Sequence, residues 1–174
     1  DDPSIKGGAW YPLSIKKIVR ALDIAIENRL PVVHMCDSAG GFLPQQSDLF
    51  ADRYMAGRIF RNQCQLSKMG CQQVSIVFGH CTAGGAYIPG LSDYSVMVRG
   101  NGAIFLGGPP LVKAATGEEV SAEELGGASV HTVKSGVSDY AGDNEQEAIA
   151  IAREIVETWT PQEKANVERR PVEP

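Results

Sequence analysis

Two hydrophobic spacings alternate along the chain. Ile15, Ile18, Val19, Leu22 and Ile26 recur at helical spacing and predict a helix over 15–29, with Ser14 as its cap. Leu30 through Cys36 is a short, mostly apolar run of strand length, which predicts a strand buried on both faces. A polar loop comes next, then a helical stretch from about 52 to 68 that Gly70 ends. Apolar runs over 73–79, 94–99 and 103–106 predict three more strands, and 85–90 predicts a short helix stopped at Pro89-Gly90. Pro109-Pro110 opens a helix, because proline suits a first helical turn. Ser121-Ala122-Glu123-Glu124 has the capping-box pattern, and Gly126-Gly127 ends that helix. Residues 129–133 predict a strand. Ala148, Ile151, Ala152, Ile155 and Val156 mark an amphipathic helix from 145 to about 159.

Strands that alternate with helices imply an α/β fold with a mostly parallel sheet. The strands at 94–99 and 103–106 succeed each other with no helix between them. That order fits β-β-α turns of a spiral better than a doubly wound sheet. The last dozen residues, ending ERRPVEP, are charged and proline-bearing and read as a tail or linker.

Composition narrows the function classes. A chain of 174 residues suffices for one domain with a real core. A net charge of −5 argues against a nucleic-acid partner, which needs a basic footprint. No apolar run approaches the ~20 residues of a membrane-spanning helix, and no signal peptide is visible. The chain begins at Asp1 without methionine, which suggests a fragment or processed piece. Cys36, Cys64, Cys71 and Cys81 match no zinc spacing, so no metal site is expected. A domain of this size needs no disulfide staples, which fits a reducing, intracellular compartment.

The candidate chemistry lies in two similar turns. Pro31-Val32-Val33-His34-Met35-Cys36 runs into Asp37-Ser38-Ala39-Gly40-Gly41, and Val74-Ser75-Ile76-Val77-Phe78 runs into His80-Cys81-Thr82-Ala83-Gly84-Gly85. Glycine lets a ligand approach the main chain closely. The first amides of a helix starting at Gly84-Gly85 have no internal acceptor and suit an oxygen that becomes negative during reaction. Two such turns would form two sides of one pocket; the plainer reading is that they only make tight turns. No Gly-Lys-Ser/Thr comes after either turn, which disfavours a phosphate cradle. His34 reads as a core residue, His80 as a loop-orienting one, His131 as part of a strand and Ser38 as a turn-former. No hydrolase elbow or metalloprotease motif is present. Backbone donors without an acid–base pair suit a reaction in which the substrate or a cofactor moves the proton.

The run Gly102-Ala103-Ile104-Phe105-Leu106-Gly107-Gly108-Pro109-Pro110-Leu111-Val112-Lys113-Ala114-Ala115-Thr116-Gly117 resembles the carboxyltransferase (β) subunit of biotin-dependent acyl-CoA carboxylases. The resemblance extends through residues 81–89, 124–128 and 135–139, and upstream through Lys6-Gly7-Gly8 and residues 27–31. Tyr87-Ile88-Pro89 after one glycine turn and Phe42-Leu43-Pro44 after the other resemble the methylcrotonyl-CoA carboxylase branch.

The resemblance implies a crotonase-like spiral of β-β-α units. It implies an N-terminal, CoA-binding carboxyltransferase domain over 1–160, then a tail over 161–174. It implies that Gly84, Gly85 and Ala86 are catalytic through their amides, and that Ala39, Gly40, Gly41, Phe42 and Tyr87 line the substrate pocket. It further implies biotin on a partner subunit, coenzyme A as part of the substrate, and 3-methylcrotonyl-CoA as the first acyl-CoA to test. The partners it implies are a biotin carboxylase or carrier subunit, the protein's own C-terminal domain and further copies, in bacterial cytoplasm or mitochondrial matrix. Two departures stand out: Ala39 where the family has glycine, and Gln45 where the branch has arginine. If position 39 needs a positive φ, alanine there carries strain. The rival readings are a decarboxylase subunit of the same fold, a hydratase using Asp37 and Asp93, and a truncated assembly domain. Arg53, Arg58, Arg61 and Lys68 read either as CoA-phosphate contacts or as a solvated or interface face.

Overall fold

The computed structural model describes residues 2–49 and 52–159; the tail expected over 161–174 lies outside them. In chain order the elements are α1 (Pro12–Asn28), β1 (Val32–Ser38), α2 (Gln46–Leu49), α3 (Ala56–Lys68) and β2 (Gln73–Thr82). They continue with α4 (Tyr87–Gly90), β3 (Tyr94–Val98), β4 (Ala103–Phe105) and α5 (Pro109–Thr116). The last are α6 (Ala122–Gly126), α7 (Ala128–Val130), β5 (Tyr140–Gly142) and α8 (Glu145–Glu157).

The strands form one parallel sheet in the order β1-β2-β3-β5, and β4 also pairs with β2. β3 runs beside Val74–Val77, and β4 beside His80–Thr82. Two successive strands thus share one long neighbour, which is the step of a spiral and bears out the β-β-α reading. One core lies between the sheet and helices α1 and α3, around Ile15, Leu22, Ile59, Leu66, Val77 and Met97. The other lies under α8, around Val74, Ile76, Val96, Ala148, Ala152 and Ile155. Within the first core, the buried Gln73 side chain donates to the Gln63 carbonyl (3.0 Å) and Gln63 to the Ile88 carbonyl (3.1 Å). These bonds tie β2, α3 and α4 together and offset the cost of burying amides.

Several local expectations are corrected. α1 starts at Pro12, with the proline in its first turn, so Ser14 lies inside the helix and caps nothing. β1 is not buried on both faces: Val33 and Met35 point outward, and Met35 is 64% exposed. The 129–133 segment is helical, with α7 running into a π-helical turn over His131–Ser135. His131 Nε2 bonds the Ile104 carbonyl (2.7 Å) and Nδ1 the Ser135 hydroxyl (2.8 Å), and these partners anchor the turn against β4. The strand that does pair in this region is β5, on β3.

Candidate active site

The register of β1 on β2 slips where both strands near their ends. Cys36 pairs with Val77 and Ser38 with Cys81, so β2 has two extra residues opposite Asp37. Such a bulge bends a strand and re-aims the chain beyond it. Here it brings the two glycine turns side by side. A Cβ on Gly40 would lie 2.8 Å from the Thr82 carbonyl oxygen, and one on Gly85 would lie 3.2 Å from the Ser38 carbonyl oxygen. Gly40 also has φ +82°, a conformation that side-chain-bearing residues rarely adopt.

The positive φ falls on Gly40 and not on Ala39, so the alanine at 39 is unstrained. In the other turn the residue with positive φ is Ala83, at +52°. Ser38 is a turn-former: its hydroxyl donates to the Gly8 carbonyl (3.0 Å) and accepts from the Gly40 amide (3.1 Å). The Ala39 amide donates to Gly7 (2.9 Å), the Trp10 amide to Gly40 (2.7 Å) and the Phe42 amide to Trp10 (2.9 Å). The 6–10 segment therefore fixes the first turn from below. Only the family resemblance had pointed to this segment.

The second turn is a 3₁₀ turn, Ala83–Ala86, that passes directly into α4. Helix formation starts at Ala83, two residues before the expected 85–90 helix, and Gly84 and Gly85 stand in its first turn, where amides lack preceding helical acceptors. Both helical segments are short, so the amides matter here as direct donors rather than through a macrodipole.

In front of these turns opens a groove of about 760 Å³. Ala39, Gly41, Thr82, Ala83 and Gly84 form its head, and Trp10, Leu49 and Phe60 its apolar wall. Leu106, Gly107, Gly108, Pro110 and Leu111, where β4 enters α5, close the other side. That last stretch stood out as a motif but not as a pocket wall; its signal was the Gly-Gly-Pro-Pro run. Gly40, Phe42, Gly85, Ala86 and Tyr87 are not among the residues that line the groove. Phe42 stacks on Tyr11 (centroids 4.6 Å apart), and Tyr87 packs against Phe60 (5.3 Å), which does line the groove.

No residue lining the groove, among those described, carries a titratable side chain. Asp93 accepts from the Gln73 amide (2.7 Å) at the start of β2, and Asp37 lies off the groove. The carboxylate pair that a hydratase would need is therefore not at the groove. His34 Nε2 meets the Gln73 side-chain oxygen (3.3 Å), and burial lowers its pKa and keeps it neutral. A hydrogen bond with Cys36, then burial, pushes the Cys81 thiol upward, which rules it out as a ready thiolate. All four cysteines are free, and no cluster among the described residues has the makings of a metal site. Of the basic residues considered for phosphate, Arg58 is paired with Asp23 (3.1 Å) and Arg53 lies over Tyr54. None of them lines the groove. No helix among the described residues is long and apolar enough to cross a membrane.

The sequence matches the carboxyl transferase domain over residues 1–174. The chain belongs to the carboxyl transferase domain family. Within that family it is 53% identical, over its whole length, to the biotin-dependent 3-methylcrotonyl-coenzyme A carboxylase beta1 subunit of Mycobacterium tuberculosis, of which the match covers 33%. It is 57% identical over 90% of its length to the mitochondrial methylcrotonoyl-CoA carboxylase beta chain of Arabidopsis thaliana, covering 27% of that protein. Among solved structures, the geranyl-CoA carboxylase beta subunit of P. aeruginosa superimposes with a TM-score of 0.81 at 44% identity, over 90% of this chain and 29% of that one. This carboxyl transferase chain therefore spans about a third of the length of such relatives. Its fold is that of carboxyltransferase subunits with the crotonase-like arrangement.

Proposed function

We propose that residues 1–160 form the acyl-CoA-binding part of the carboxyltransferase subunit of a biotin-dependent acyl-CoA carboxylase. The observation that carries this reading is the apposition of the two glycine turns at the head of an apolar groove without a titratable group. The acyl chain lies along the wall of Leu49, Phe60 and Leu111. The thioester carbonyl oxygen sits at the Gly84 amide, with Gly85 and Ala86 behind it holding the turn. When the substrate's acidic proton leaves (in 3-methylcrotonyl a γ-methyl proton, conjugated to the thioester through the double bond), that oxygen becomes an enolate oxygen, and a donor fixed in an apolar site stabilises it more than it stabilises the neutral carbonyl.

Biotin, carried on a partner subunit, supplies both the carboxyl group and the proton acceptor. The chain's own part is to bind the thioester, hold the enolate oxygen and keep water from the carbon that gains the carboxyl group. Transcarboxylase 12S, whose structure holds hydrolyzed methylmalonyl-coenzyme A, shares the fold (TM-score 0.79, 28% identity), which supports an acyl-CoA in this groove. The acyl group we propose is 3-methylcrotonyl, supported by the names of the relatives that are 53% and 57% identical. The further partners are a biotin carboxylase or carrier subunit, the parent protein's C-terminal domain and other copies, inside bacterial cytoplasm or mitochondrial matrix. The domain we assign runs over 1–160.

The test uses the full-length parent subunit with its biotin-bearing partner and labelled bicarbonate. Turnover is expected with 3-methylcrotonyl-CoA above propionyl- and acetyl-CoA. The Gly84→Pro variant, which lacks the N–H, should lose about 10²–10³ in kcat. The Gly84→Ala variant keeps the donor and adds a Cβ 3.4 Å from the Trp10 ring, so it should lose far less. Equal losses in the two variants would remove the amide from the mechanism.

A further inference from the structure

Beyond the donor amides, the geometry points to Ala83 as a positioning residue that aims the Gly84 N–H into the groove; this rests on the carboxyltransferase reading above. Ala83 is one of three described non-glycine residues with positive φ, at +52°. Arg29, the second, ends α1 as an ordinary left-handed cap, and Lys6, the third, lies in the exposed turn before Gly7. Ala83 alone of the three lies at the groove, one residue before the proposed donor. The Gly84 N–H belongs to the peptide unit that begins at the Ala83 carbonyl, so the backbone angles of Ala83 set its direction.

Glycine would adopt this conformation without strain, yet alanine occupies it. The placement of its methyl group explains that choice. A Cβ on Gly40 would meet the Ala83 Cβ at 3.3 Å, so the methyl faces the opposite glycine turn at the point where that turn has no side chain. There it acts as a wedge between the turns, and it removes the conformational freedom that a glycine would bring next to the donor. Sparsely populated backbone conformations persist where the surroundings over-determine them, and they gather at functional sites. Here the cost of the conformation is met by the paired turns, and the return is a fixed donor.

The experiment is steady-state bicarbonate fixation by the full-length subunit with its biotin partner, alongside thermal unfolding. For Ala83→Gly, kcat should fall about tenfold or more. The acyl-CoA KM should stay within about twofold, and the melting midpoint should stay level or rise, because the strain is gone. The Ala83→Ser variant, which keeps the Cβ wedge, should regain at least about fivefold over Ala83→Gly. Unchanged kcat in Ala83→Gly, or a loss matched by a fall in melting midpoint, overturns the positioning role and leaves the carboxyltransferase reading standing. If the unmodified enzyme fixes no bicarbonate with any of the three thioesters, that reading and this inference fall together.

Discussion

A single methyl group at position 40 has nowhere to go. It would lie 2.8 Å from the Thr82 carbonyl oxygen, on a residue with φ +82°. Gly40→Ala should therefore cost about 1–3 kcal/mol in urea unfolding and lower turnover by separating the turns. Asp37 gives a second test at this scale. Burial raises its carboxyl pKa, against the attraction of His80 and with some help from Glu145. An acid whose folded pKa lies above its unfolded one binds its proton more tightly when folded. Its contribution is thus most favourable below the ordinary carboxylate range and declines as pH rises through the folded value. Asp37→Asn should melt higher than the parent at neutral pH, and the difference should vanish as the pH falls below the ordinary carboxylate range.

At the scale of elements, local signals were legible where the stabilising contacts are local. The box at Ser121 is present as expected: Glu124 N–H donates to the Ser121 hydroxyl (3.2 Å), and Ser121 N–H to the Glu124 carboxylate (3.0 Å). Ser121→Ala should cost about 1 kcal/mol in thermal unfolding, with turnover little changed. The 129–133 segment misled because Val130, Thr132 and Val133 favour strands by propensity. The bonds from His131 to Ile104 and Ser135 outweigh that preference, and the one to Ile104 depends on β4 being in place. β5 has three residues and stands on its pairing with β3, so it left no periodic trace. β1 looked buried on both faces because Val33 and Met35 are apolar. Composition does not reveal which face a sheet leaves uncovered.

For the whole molecule, the groove combines stretches far apart in sequence. Ala39, Gly41 and Gly84 were legible as candidates because glycine turns after strands are conspicuous. Trp10, Phe60 and Leu111 carry no local mark of their role, since an apolar residue in a groove looks like one in a core. Leu43, Leu106 and Leu111 are 74%, 65% and 62% exposed while lining one groove, which marks that surface for contact with a ligand or another polypeptide. In the full enzyme, Leu111→Asp should raise the acyl-CoA KM about tenfold or more while the melting midpoint holds, because an exposed position has little packing to lose.

The register of β1 on β2 has a consequence in time. Val32 meets Gln73 across about forty residues of chain, and the same ladder carries both glycine turns at its far end. Neither turn has its partner until that long loop closes, and parallel pairings of this separation form slowly. The head of the groove is therefore born with the sheet. A probe on the groove and a probe on β1–β2 pairing should report one and the same refolding rate.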